Sequence, residues 1–190
     1  MKFKRLLVFS IMLIAVVACT PQVSQSTLVI PSSLEFMVNK ADTIVNGTIR
    51  SSYGYREKNL IFTSVKVDVH EYIKSADPDR PAVIELKVMG GEAEGQRLEI
   101  DHAPRFYPGD EVLLFLLRKK DKYLVFGIYY GACRIVTASD GVSKQVVGPV
   151  FSAPKVRNIA TQKVHTNTLP PEGEKLESFV QRVKALIDRK

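Results

Sequence analysis

Two cysteines and three histidines in 190 residues leave little material for metal or thiol chemistry. His70, His102 and His165 are far apart and lack the H-x-x-x-H spacing that puts two imidazoles on one helix face. No metal and no other cofactor is expected. Long apolar runs are scarce too. The run LLVFSIMLIAVVA, residues 6–18, has 13 residues, short of the roughly 20 that a spanning helix needs, and no second run approaches that length. GGEAEG, residues 90–95, lacks the Lys-Ser/Thr and the strand-to-helix setting of a phosphate loop and reads as a strand turn. No alternation of helix and strand is present, which argues against a doubly wound parallel sheet.

The apolar run does have a context. Lys2, Lys4 and Arg5 precede it and the small residue Ala18 ends it, the pattern of a signal peptide over residues 1–18. Val16-Val17-Ala18-Cys19 resembles a bacterial lipobox. That resemblance implies cleavage before Cys19 and attachment of diacylglycerol to its thiol as a thioether, with the acyl chains (palmitate among them) in the bilayer. Each buried methylene then contributes about 0.8 kcal/mol, so several chains anchor the protein firmly. The plainer alternative is an ordinary signal peptide beside an incidental cysteine. With Cys19 acylated, Cys133 has no intramolecular partner and a disulfide framework is excluded. The expected location is extracytoplasmic and membrane-anchored, as a periplasmic or outer-membrane lipoprotein. Thr20 after the cysteine is compatible with outer-membrane sorting in a Gram-negative host. The chain has 27 basic and 20 acidic residues, of which the expected signal holds three basic and no acidic ones. The remaining surplus of about four is mild, suited to solubility or to an acidic surface or polymer.

Residues 19–33 are polar, uncharged and proline-containing, and are expected to form a flexible tether. Ser33 can cap a short helix over LEFMVNKA. From Asp42 to about Thr137 the pattern is that of strands: DTIVNGTIR, then LIFTSVKVDVHEYIK after a turn-like SSYGYREKN, then AVIELKVMGG, a weaker GQRLEID, EVLLFLLRK, KYLVFGIYY and ACRIVT. EVLLFLLRK is apolar on both faces and should be central. Gly127 and Gly131 suit a bulge or sharp bend, and YPGDE suits a type II turn. Five or more strands with short connections suggest a closed or nearly closed barrel over residues 34–137. Residues 138–171 read as an irregular extension with VVGPVF as an added strand. Residues 172–190 read as an amphipathic helix whose Leu176, Phe179, Val180, Val183, Leu186 and Ile187 dock on the barrel.

Ala41, Asp42, Ile44, Val45 and Gly47, followed by Pro104, Phe106, Gly109, Asp110 and Val112, fit an AD-x-h-h-x-G opening and a later P-x-F-x-x-G-[DE]-h segment, where h is hydrophobic. In this the chain resembles a bacterial extracytoplasmic domain over residues 34–137. More distantly it is similar to the netrin-like domain of tissue metalloprotease inhibitors. The resemblance implies a mainly β, OB-like barrel with a short N-terminal helix and a docked C-terminal helix. Those inhibitors chelate zinc through a free N-terminal cysteine, and an acylated Cys19 followed by a tether departs from that, so the fold carries over and the chemistry does not.

The best candidate binding residues are aromatic and basic. Tyr53 and Tyr55 with Arg56 and Lys58 are expected in a first long loop, and Tyr129 and Tyr130 late in the barrel. In OB-folds the first loop and the face of strands two and three commonly bind oligomers. Packing of these tyrosines within loops is the alternative. Asp101-His102 precedes Pro104 and Phe106 in a constrained turn, and a surface turn is preferred over a catalytic pair. Cys133 is expected to be a small buried residue. The expected function is a non-enzymatic binding or scaffold module of the bacterial envelope, recognising a glycan or envelope protein and not nucleic acid. The alternatives are a protease inhibitor or protease-associated module, and a hydrolase using Asp101 and His102, with Asp68 or His70. In a bacterial host, Cys19→Ser should abolish incorporation of labelled palmitate; undiminished label in that variant would overturn the lipoprotein assignment.

Overall fold

The structure is a computed structural model describing residues 33–101, 103–127, 130–148, 156–157, 164–165 and 173–189. The expected signal peptide, most of the tether, Cys19, His102 and Tyr129 lie outside these residues. The fold is mainly β with two helices, α1 (Leu34–Lys40) and α2 (Leu176–Ile187). Ser33 Oγ accepts from the Phe36 amide at 3.1 Å, so the expected N-cap of α1 is in place. The last carbonyls of α1 are met by Lys74, whose Nζ donates to Val38 at 2.8 Å and also to Ala41.

Strands β1 (Thr43–Glu57), β2 (Leu60–Lys74), β3 (Val83–Met89), β6 (Glu111–Lys119) and β7 (Lys122–Val125) pair in the order β1-β2-β3-β7-β6, and β6 returns to β1. Five strands thus close into a ring. Every pairing is antiparallel except β3 with β7, which meet in parallel at Leu86 and Tyr123. Two motifs noted in the sequence sit at the closure. The Asp42 carboxylate accepts from the Arg118 amide at 2.9 Å. At Gly47 a Cβ would stand 2.3 Å from the Asp68 carbonyl, so only glycine lets β1 and β2 approach there. Gly109, at φ +91°, completes the expected turn before β6, and its amide donates to the Ile49 carbonyl at 2.8 Å.

β6 explains the layering. Val112, Leu114 and Leu116 enter the ring core with Val45, Val65, Leu86 and Phe106, while Leu113 and Phe115 point outward into a second core. That second core contains Met37 and Val38 of α1, Phe179, Val180 and Val183 of α2, and Ile44 and Ile73 from the ring. The expected central strand and docked helix are both present. Strand alternation cannot satisfy an apolar residue at every position unless both faces are covered.

Beyond the ring the sheet continues through β8 (Ala132–Thr137), β9 (Lys144–Val147) and β12 (Glu174–Lys175). β7 and β8 follow one another along the same edge of β6. Between them the chain loops out, with Phe126 and Gly131 both bonded to Phe115. Gly127 has φ +61°, and a Cβ on Gly131 would stand 2.5 Å from the Phe115 carbonyl, so both glycines mark the expected bend. Two expectations need correction. GQRLEID contributes only β5 (Gln96–Leu98), which pairs with β4 (Gly91–Ala93) in a separate hairpin whose turn is Glu94–Gly95. The strand expected at VVGPVF is β9, displaced toward Lys144, so part of the supposed irregular extension belongs to the main sheet. β10 (Val156–Arg157) and β11 (Val164–His165) pair antiparallel as a separate two-stranded sheet.

Phe115 is fully buried, and Phe115→Ala should lower unfolding free energy by about 3–5 kcal/mol in urea titrations. The exposed Val142→Ala should stay within about 0.5 kcal/mol; similar losses at both positions would contradict the two-core architecture.

Candidate functional site

The segment expected to be a long loop is instead a hairpin. β1 continues to Glu57 and pairs with β2 from Leu60, leaving only Lys58 and Asn59 in the turn, with Lys58 at φ +56°. Gly54, which reads as a loop former, is needed for another reason: a Cβ there would lie 1.9 Å from the Glu92 carbonyl as the β4–β5 hairpin crosses it.

Strand parity then divides the candidate residues. Tyr53 and Tyr55 point to the outside of the ring. Arg56 points the other way, to Glu94 at 2.9 Å and Gln96 at 2.7 Å. Lys58 lies at the hairpin tip. Tyr130 packs against the helix-side core and so belongs to a different region. The five described candidates therefore do not form one surface; Tyr53 and Tyr55 are the nucleus of the one described next, and Arg56 and Tyr130 are not part of it.

Cross-strand neighbours complete the face. Directly opposed residues share a side of the sheet, which gives three successive rows. The first is Tyr55, Phe62 and Met89; the second is Tyr53, Ser64 and Lys87; the third contains Lys66 and Glu85. Glu85 meets Lys122 of β7 at 3.0 Å, and Lys122 is opposite Lys119 of β6. The rings of Tyr53 and Tyr55 lie 6.4 Å apart, and those of Tyr55 and Phe62 6.1 Å. Lys87 Nζ stands 4.0 Å from the Phe62 centroid and 2.6 Å from Glu57. Lys122 Nζ is 5.8 Å from the Tyr55 centroid. Tyr53 is the most open of the rings, 53% exposed.

These charges are held in place. The Ser64 hydroxyl donates to Glu85 at 2.6 Å and, with Lys122, keeps its carboxyl below the usual range. A hydrogen bond from Lys87 lowers Glu57, and the bond to Glu85 raises Lys122. The Glu85–Lys122 pair also clasps the β3–β7 seam, where the backbone ladder is shortest. Phe62, Ser64, Lys87 and Lys122 were not among the residues singled out in the sequence. A signal for one exists: Phe62 falls in phase with Ser64, Lys66, Asp68 and His70, an aromatic on an otherwise polar strand face.

At one mouth of the ring is a cleft of about 350 Å³ lined by Tyr53, Gly54, Met89, Arg97, Glu99, Arg105 and Tyr107 among others. Arg97 and Arg105 both bind Glu99, at 2.7 and 3.0 Å. With Glu92 also on its wall, the charges of the cleft balance. Phe106 plugs the ring below it, so the P-x-F segment is accounted for by packing. Asp101 is exposed near this mouth. His70 lies on the outer strand face with Nε2 3.2 Å from Thr48 Oγ1, while Asp68 is engaged by Arg50. Among the described residues no group of His, Cys, Asp and Glu is arranged to hold a metal ion.

Cys133 is buried in the helix-side core, where loss of water pushes its thiol up to about 12. A thiol in that state is a packing residue at neutral pH. No protein-family model matches this chain, and no curated protein matches it. Cys133 should resist iodoacetamide in the native protein and be alkylated once it is unfolded, as read by peptide mass; rapid native alkylation would contradict the buried placement.

Proposed function

We propose that this chain is a lipid-anchored, non-enzymatic binding module of the bacterial envelope, built on an OB-type barrel, that holds a glycan on the outer face of β1, β2 and β3. The barrel reading is supported by the ring order β1-β2-β3-β7-β6 with a single parallel pairing, between its third and last strands. The anchor rests on Cys19 and the segment before it. No described helix is long and apolar enough to cross a membrane.

The observation that carries the binding role is the Tyr53–Tyr55–Phe62 ladder with Lys87 and Lys122 fixed beside it. Helices cover the outside of the ring where Ile44, Leu113 and Phe115 are apolar. No described element covers the outside of β3, β7 and residues 60–68 of β2, where aromatic rings and lysines project; the far end of β2 lies under α2, with Ile73 in the helix-side core and Glu71 paired with Lys184. In OB-type barrels that side, flanked by the turns after the first and fourth strands, is where oligomers lie. Here those turns are Lys58–Asn59 and Lys120–Asp121. Tyrosine rings with adjacent donors suit sugars, which present apolar ring faces edged by hydroxyls.

The test is retention of the full chain on isolated, insoluble envelope glycan. Tyr53→Ala should reduce retention roughly tenfold, in line with the loss of about 1–3 kcal/mol found for stacking on an aromatic. Undiminished retention of that variant, or none by the native protein, would sink the reading.

A further inference from the structure

We propose that the ligand of this outer face is an anionic polysaccharide, a sugar polymer bearing carboxylates, spanning at least three strands. The inference rests on the binding-module reading above and adds the charge and minimum length of what is bound. Six lysines and Arg50 occupy the face and its two flanking turns, against four carboxylates, Glu57, Asp68, Glu85 and Asp121, with Asp68 paired to Arg50. The local surplus of three approaches that of the whole chain beyond the expected signal.

The free charge is concentrated at one end. Lys87 and Lys122 are paired with Glu57 and Glu85. Lys58, Lys66, Lys119 and Lys120 have no ion-pair partner among the described residues. Lys66 and Lys119 fall in the same transverse row, to either side of Glu85 and Lys122. At about 3.3 Å per residue, that row is displaced roughly 13 Å along the strands from the Tyr55–Phe62 row. Lys122 of that row brings its Nζ within 5.8 Å of the Tyr55 centroid, so rings and lysines form one surface, while Lys66 and Lys119 stand three strand spacings apart, about 14 Å. An oligosaccharide can stack near Tyr53 and place separate carboxylates against Lys66 and Lys119.

Pinning of the central cations favours such a ligand over a lipid surface. Lys87 and Lys122 side chains are only 22% and 33% exposed and are fixed by carboxylates and rings. The Tyr53–Tyr55–Phe62 ladder beside these cations offers a stacking surface for a sugar ring, which adsorption of exposed lysines to a fluid anionic bilayer does not require.

The full chain is titrated with oligogalacturonate and with a neutral cello-oligosaccharide of equal length. Oligogalacturonate should bind, at least tenfold more tightly than the neutral oligomer and less tightly as salt rises. The double variant Lys66→Gln/Lys119→Gln should weaken it roughly tenfold, with thermal unfolding unchanged, and the Lys66→Arg/Lys119→Arg pair should retain it. Equal binding of both oligomers, with Tyr53→Ala weakening each, would overturn the anionic assignment and leave the glycan-binding module standing. Binding of neither, with no retention on envelope glycan, would overturn both. If the glutamine pair leaves oligogalacturonate binding unchanged but lowers partition onto phosphatidylglycerol relative to phosphatidylcholine vesicles, the face is a membrane contact and the proposal fails.

Discussion

The double burial of β6 is the constraint from which the rest of the architecture follows. Five consecutive residues, Val112 to Leu116, are buried, and a strand presents alternate residues to opposite sides. One side must therefore be the inside of the ring and the other must find a second cover. α1 and α2 supply that cover, although more than 130 residues separate them in the chain. Since Ile44 and Ile73 emerge beside Leu113 and Phe115, the helices have one place to dock. No described element covers the remaining outer surface, over β3, β7 and residues 60–68 of β2.

The closure of the ring is unequal around its circumference. β1 is bonded to β2 along its length and to β6 along its first six residues, whereas β3 and β7 share one parallel register position. Side chains reinforce the weak seam. Outside it stands the Ser64–Glu85–Lys122 chain. At its end the buried Asp77 carboxylate accepts from Tyr123 at 3.2 Å and meets Arg118 at 3.1 Å, a charge kept in the interior only because it is paired. Lys122 thus has a structural duty as well as a place beside Tyr55. Lys66 and Lys119 form no ion pair among the described residues, which is why they say more about a ligand.

Much of the fold was legible along the chain. Ser33 marked the cap of α1, Gly109 the turn before β6, Gly127 and Gly131 the outward loop, and the stripe from Leu176 to Ile187 the last helix. Each depends on neighbours within a few residues. The candidate site was less legible. Tyr53 and Tyr55 were recognised, but in a loop, because Gly54 and the flanking serines resemble turn chemistry. In fact Gly54 is a strand residue whose missing side chain admits the Glu92 backbone. Arg56 was grouped with the tyrosines by proximity in sequence, and the two-residue period of the strand sends it to Glu94 instead.

The sequence by itself determined the period of each element, its caps and bends, and the pairing of a charged, apolar leader with Cys19 on which the expected membrane address rests. Tertiary structure decided which side chains are neighbours. Phe62, Lys87 and Lys122 lie on three strands, 25 and 35 residues apart along the chain, and meet only because the ring closes in one register. A shift of one residue in that register would turn every one of them to the other side of the sheet. Local sequence fixes how a strand alternates; long-range pairing fixes what it alternates against.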